Sequence, residues 1–362
     1  MSKILRFALI GCGRIAKNHV GPLTEISGVK LVALCDLIPE KAQSHADKYG
    51  LPVYTNYHTM LRKEEVDVVC ILTPSGMHPM HALDVITRYR KHLVIEKPMA
   101  LAWGDLAKMK AIADECGVKI FPVYQNRYNK AVQKVRSDII SGKLGKLALG
   151  TVRVRWCRPQ SYYNRDPWRG TWAMDGGALT NQGIHYIDLL QYLLGDVEAV
   201  TARAATQLVN VEVEDTAVAT LKFKNGALGV IEVTTAARPT DFEASISVLA
   251  ENGAAILSGI ACNQLNTYTL DPTASSACSE EFLDAYGLGH WQFFRDLLAD
   301  LQESKPHPIS FVEGTRAIRL LNAIYLSAED KREVYLDEGL ASHNLGRPDL
   351  KLSSLYETSP ES

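Results

Sequence analysis

The first third of the chain alternates short, continuously apolar runs with amphipathic stretches, and few architectures accept that grammar. Residues 7–10 run into Gly11, Val29–Cys35 into Asp36, 66–72 into Thr73-Pro74, His92–Ile95 into Glu96-Lys97-Pro98, and 118–124 into Gln125-Asn126. Between them lie stretches with helical patterning, such as Pro39–Tyr49 and Trp103–Cys116. Strands that are apolar at every position are buried on both faces, and the intervening helices supply the cover. The prediction is an α/β chain whose residues 1–124 form a doubly wound parallel sheet.

Beyond that point the pattern changes. Val152, Val154 and Trp156 alternate with Arg153 and Arg155, the period of a half-exposed strand. Asn225-Gly226 and Asn252-Gly253 each separate two β-rich runs, and such pairs favour tight hairpins because both residues tolerate positive φ. Residues 125–341 therefore read as an α+β domain with a large, open, mostly antiparallel sheet, closed by a helix over 314–328. An open sheet needs one face covered, which predicts a homo-oligomer through that face. Residues 342–362 are polar, with two prolines, and read as a mobile tail or a surface strap.

At 362 residues the chain has length for two domains, and its formal charge of −2 excludes a general nucleic-acid binder or a membrane-surface protein. No apolar stretch is long enough to span a bilayer. The N-terminal residues run straight into a strand, leaving no room for a cleavable signal. The seven cysteines are scattered and never in a Cys-x-x-Cys pair, as in a reducing compartment. The expectation is a cytoplasmic protein.

Gly11-Cys12-Gly13-Arg14-Ile15-Ala16 joins the first strand to a helix. The first glycine permits the tight turn, the second lets backbone N–H groups reach a pyrophosphate, and Ala16 lets the helix pack on the sheet. The helix N-terminus then faces the phosphates. Asp36 ends the next strand, where a carboxylate grips the adenine ribose diol and repels a 2′-phosphate, so NAD is the expected cofactor.

With Thr73-Pro74-Ser75-Gly76-Met77-His78, Glu96-Lys97-Pro98 and the run from Gly176 to Asp188, these motifs resemble the Gfo/Idh/MocA oxidoreductase family. The resemblance covers nearly the whole chain. It implies a Rossmann domain in which Gly11, Gly13, Arg14, Ile15, Asp36, Thr73, Pro74, His78, Glu96 and Lys97 bind NAD, with Asn126 and Arg169 of the second domain as further cofactor contacts. Within the family the chain is most similar to the UDP-N-acetyl-glucosaminuronate 3-dehydrogenases, in Gly11 to His19, Gln125 to Asn129 and Thr180 to Asp188. That likeness implies oxidation at C3 of a UDP-linked uronic acid for surface-polysaccharide synthesis, a homotetramer, and an aminotransferase acting on the product.

Removing hydride from a secondary alcohol needs a base for the hydroxyl proton and a holder for its oxygen. Asn181, His185 and Asp188 sit at i, i+4 and i+7, one face of a helix, with Asp188 placed to orient the imidazole. An unperturbed histidine titrates near pH ~6.5 and is basic at cytoplasmic pH. The reading makes His185 the base and Lys97 the oxygen holder, with the reverse open if burial lowers the lysine. Many family members carry Asp where Asn181 stands, so a Lys–Asp pair is absent and more falls to His185. Gln160, Tyr163 and His290 join Lys97, Asn181 and His185 as candidate substrate contacts. Arg153 and Arg155 read as a solvated strand face. His78 and His81 are spaced i, i+3 without a third ligand, so no metal is expected, and His81 reads as a helix-surface residue. The alternatives are a dehydrogenase of a free sugar or inositol, and a non-catalytic NAD-binding sensor or scaffold. The whole reading requires Lys97 and His185 to reach one hydroxyl.

Overall fold

Residues 3–282, 286–339 and 341–360 are described by a computed structural model. Their elements run β1 (Leu5–Ile10), α1 (Ala16–Glu25), β2 (Val29–Cys35), α2 (Pro39–Tyr49), β3 (Val53–Tyr54), α3 (Tyr57–Lys63), β4 (Val68–Ile71), α4 (His78–Tyr89), β5 (His92–Ile95), α5 (Trp103–Cys116) and β6 (Ile120–Pro122). They continue with α6 (Lys130–Ile140), β7 (Leu147–Arg155), α7 (Gln160–Tyr163), a π-turn (Leu179–Gly183), α8 (Ile184–Leu194), β8 (Val197–Ala205), β9 (Thr216–Phe223), β10 (Leu228–Thr234) and β11 (Glu243–Ala250). The last are β12 (Ala254–Ser258), β13 (Gln264–Tyr268), α9 (Ala274–Cys278), α10 (Gly289–Glu303), α11 (Phe311–Asp330), β14 (Val334–Tyr335) and α12 (Leu350–Ser353).

The linear division at 124/125 and 341/342 is not how the chain partitions. One compact unit gathers the chain up to Val123, His290–Thr315 and the chain from Pro348; the other comprises Tyr124–Gly289 and Arg316–Arg347. The reason is packing that composition cannot reveal. Phe293, Phe294 and Leu297 on α10 are fully buried, and the Phe294 ring meets Phe7 of β1 edge-on at 5.7 Å. The polar tail divides as well. The Ser342 hydroxyl and the Asn344 side chain donate to Glu329, whereas the carbonyls of Ser359 and Pro360 accept from Asn56 and Arg62. It is a strap.

In the first unit six parallel strands lie in the order β3-β2-β1-β4-β5-β6. All of β4 and most of β1 and β5 are buried, as continuous apolar strands require. The order reverses between β1 and β4, so a crevice opens outside the carboxyl ends of the strands. Gly11, Asp36, Thr73 and Lys97 each follow the carboxyl end of one of these strands.

The second unit holds an eight-stranded sheet, β13-β12-β11-β7-β10-β9-β8-β14. It is antiparallel except for β7 against β10. Both hairpins form at the Asn-Gly pairs. At the first, only Gly226 takes a positive φ; Asn225 instead spends its side chain on the Leu194 carbonyl and the Ala227 N–H. One sheet face is covered by α8, whose Leu190 and Leu194 press on Gly150. The other face exposes Val218, Leu228, Val230, Leu249 and Ile256 beside Arg153 and the Arg155–Glu232 and Arg155–Glu243 ion pairs. The seven cysteines are free. Among the described residues no helix is long and apolar enough to cross a membrane.

Candidate active site

In the first unit the glycine turn is built by close approach. Gly11 has φ +94°, and a Cβ there would lie 2.8 Å from the Leu72 carbonyl, so no other residue fits. Gly13 is the opposite case: a Cβ there meets nothing within 4 Å, so the space beside it is left for a ligand. No side chain caps α1 and no acid occupies its first turn, leaving the positive end of the helix uncompensated. The Asp36 carboxylate accepts the Cys12 N–H at 2.7 Å and the Ile38 N–H at 2.9 Å, one bond per oxygen. Each oxygen keeps a lone pair for a ribose hydroxyl. NAD fits this arrangement. Asp36→Ser should raise the KM for NAD by roughly 10- to 100-fold, the worth of hydrogen bonds to a charged group, and narrow the preference over NADP. Steady-state kinetics with both cofactors measures it.

Three residues expected on the cofactor or substrate are turned inward. Both ring nitrogens of buried His78 face backbone carbonyls, Pro98 at 2.7 Å and Thr73 at 2.8 Å; burial lowers the ring, whose single N–H then donates to one of these two strand-end carbonyls. Glu96 is buried, with Oε1 2.8 Å from His19 Nε2 and 3.4 Å from His290 Nε2, and Oε2 accepting the Lys97 N–H. Burial pushes the Glu96 carboxyl up, but the two imidazoles outweigh it and hold the group well below the usual carboxylate range. Burial lowers His19, which therefore donates as a neutral ring. His290 thus faces Glu96, a partner its motif did not indicate. His81 also departs from expectation: it is buried against the Thr73 hydroxyl at 3.0 Å, and burial pushes it down to about 4.

The ligand atoms of His19, Glu96 and His290 lie within 4.8 Å of one another, a spacing that suits a divalent ion. The hydrogen bonding does not. Nδ1 of each imidazole is buried without a partner, so each ring carries its proton on Nε2 and gives it to Glu96. A metal on Nε2 would force both protons onto Nδ1, where nothing accepts them. The trio is a carboxylate clamp. It fixes the residue immediately before Lys97 and joins it to α1, which follows the glycine turn. No sequence spacing predicts it.

In the second unit Asn181 and His185 stand out by exposure: from Met174 to Gln191 they alone are not buried. They do not lie on one regular helix. Asn181 sits in the π-turn, a feature frequent at functional sites, and α8 begins at Ile184. The Asn181 amide donates to Asp175, whose other oxygen accepts the Gly170 N–H at 2.7 Å. A carboxylate therefore does stand beside Asn181, six residues upstream, hidden from helical spacing. The His185 ring meets Tyr124 edge-on at 6.5 Å. Asp188, expected behind the imidazole, is instead in a buried two-pronged pair with Arg127, at 2.8 and 2.6 Å.

The remaining candidates are engaged locally. Arg169 donates to Asp166 and to the Tyr162 hydroxyl and stacks on the Trp168 ring. Tyr163 is buried with its hydroxyl on Thr235, and Gln160 bonds Asn164 and the backbone of Asn210. Asn126 is buried in the short turn that carries Arg127.

Residues 5–124 match the oxidoreductase family's NAD-binding Rossmann domain, and residues 132–256 match the GFO/IDH/MocA C-terminal domain. The chain belongs to the Gfo/Idh/MocA oxidoreductase family. Among solved structures, the WlbA dehydrogenase from Bordetella pertussis, in complex with NADH and UDP-GlcNAcA, is 37% identical. It matches with a TM-score of 0.85 over 92% of this chain and 98% of its own. The Chromobacterium violaceum WlbA complex with the same two ligands is 36% identical, with a TM-score of 0.83 over 93% and 97%. The myo-inositol 2-dehydrogenase of Thermotoga maritima is 25% identical over 92% of this chain and 99% of its own. The protein is an NAD-dependent dehydrogenase of the sugar and polyol class.

Proposed function

We propose that the enzyme oxidises the C3 hydroxyl of UDP-N-acetyl-glucosaminuronic acid to the 3-keto sugar. The observation that carries this reading is near full-length similarity, at 37% identity, to a dehydrogenase holding NADH and that nucleotide sugar. The partial exposure of Asn181 and His185 in an otherwise buried run supports it.

NAD, when bound, supplies the hydride acceptor at nicotinamide C4. His185 takes the hydroxyl proton as the C3 hydrogen leaves with its electron pair. Lys97 hydrogen-bonds the same oxygen and favours the negative charge that develops there. Asn181, steadied by Asp175, positions the sugar beside His185. Glu96, clamped by His19 and His290, fixes the main chain from which Lys97 projects. The 3-keto group suits an aminotransferase as the next step. The apolar, ion-paired outer face of the second sheet supports a homotetramer formed through it, and cytoplasmic operation is part of the same reading.

Purified enzyme with NAD should convert UDP-N-acetyl-glucosaminuronate to a product two hydrogens lighter by mass spectrometry. UDP-N-acetyl-glucosamine, which lacks the carboxylate, should react at least about tenfold more slowly, the loss expected when one charged hydrogen bond is removed. The similarity to myo-inositol 2-dehydrogenase favours a second reading, oxidation of a free polyol or sugar. Turnover of myo-inositol at a higher kcat/KM than any UDP-sugar would decide for it.

A further inference from the structure

We propose that Glu214 is an uncharged, protonated acid in the working enzyme and is the positioning residue of the π-turn that carries Asn181. The positioning half rests on the catalytic reading of Asn181 and His185; the protonation half does not.

Glu214 and Asp215 are adjacent buried carboxyl groups with contrasting surroundings. Asp215 receives the N–H groups of Gln207 at 2.9 Å and Leu208 at 2.7 Å and the Thr216 hydroxyl at 2.9 Å, the donor-rich setting of a carboxylate. Glu214 receives one unambiguous donor, the Leu179 N–H at 2.9 Å on Oε1, and its Oε2 is buried without a partner. The Tyr325 hydroxyl is 3.0 Å from Oε1, but that phenol has a single proton and also bonds the Gly176 carbonyl, which can only accept. With the phenolic proton on Gly176, the contact between Tyr325 and Glu214 is a hydrogen bond only if Glu214 is the donor. A buried anion with one oxygen lacking a protein donor would carry a large desolvation cost that the neutral acid avoids.

The placement explains what the acid holds. The Glu214 main-chain carbonyl accepts the Ala178 N–H while its side chain accepts the Leu179 N–H, so one residue satisfies two donors at the start of the π-turn. The side chain lies directly over Gly177, where a Cβ would come within 1.9 Å of Oε2. Only glycine leaves room for it. The titratable groups facing Glu214 are Asp175, Tyr325 and Tyr163, none of them cationic. Burial, with Asp175 adding to it, pushes the Glu214 carboxyl up to about 8.

A raised folded-state value binds a proton that the unfolded chain releases above its ordinary value. The stabilisation is complete below the unfolded value and is lost as pH rises through about 8. The test uses full-length enzyme, E214Q and E214A, with melting temperature followed from pH 5 to 9 and kinetics at pH 6.5. Glutamine keeps an uncharged acceptor for Leu179, so the melting temperature of E214Q relative to wild type should climb with pH. Its kcat should stay within about threefold of wild type, and that of E214A should fall more than tenfold with the KM for NAD unchanged. A melting difference that falls as pH rises overturns the protonated state. An E214A enzyme with wild-type kcat overturns the positioning role. Wild-type enzyme that oxidises no sugar would overturn the functional reading alone and leave the melting result standing.

Discussion

His185→Asn should lower kcat by about 10²- to 10⁴-fold, the usual contribution of a positioned general base, while NAD affinity stays within about twofold. The side chain sits at the start of α8 and is partly exposed within an otherwise buried segment, and asparagine keeps a polar tip without a basic nitrogen. The Asp36 carboxylate and the glycine turn belong to the other unit. Stopped turnover with intact NAD binding, measured by single-turnover kinetics and fluorescence titration of NADH, is the expected pair of results. Wild-type kcat in the variant would transfer the base to Lys97.

Arg127→Met should be the most destabilising single substitution among those considered. It leaves the Asp188 carboxylate buried with its principal partner gone, at a cost of about 3–5 kcal/mol. For a unit of this size that lowers the melting temperature by roughly 6–20 °C. The guanidinium is also stacked 4.7 Å from the Tyr192 ring, so the loss includes packing as well as charge. The double replacement Arg127→Met with Asp188→Leu removes both charges, and calorimetry should show it recovering most of the deficit. A single variant that melts within 2 °C of wild type, a shift of roughly 0.5–1 kcal/mol, would mean that Asp188 is stabilised elsewhere.

The parallel sheet was legible because its signal is local: strands buried on both faces read as apolar runs, and Pro39–Tyr49 and Trp103–Cys116 are helices at the boundaries their patterning predicts. The glycine turn and Asp36 were legible for the same reason, since each owes its geometry to neighbouring residues. The two-residue strand β3 was too short to leave a pattern. The helix-surface reading of His81 failed, and the inward partners of His78, Glu96 and His290 were not legible, because burial is not written in a residue's type. Asn181 was placed on a regular helix because a π-turn has no propensity signature.

What the amino-acid order determined by itself is the fold class, the dinucleotide turn, its preference for NAD, and the presence of Lys97 and His185 in recognisable motifs. Tertiary structure alone decided the partners: His19 and His290 on Glu96, Arg127 on Asp188, Asp175 on Asn181, and Glu214 on the π-turn. The physical reason is range. Hydrophobic period and turn chemistry act over a few residues, whereas a buried charge is satisfied by whichever group the folded chain brings within about 3 Å, however distant in sequence.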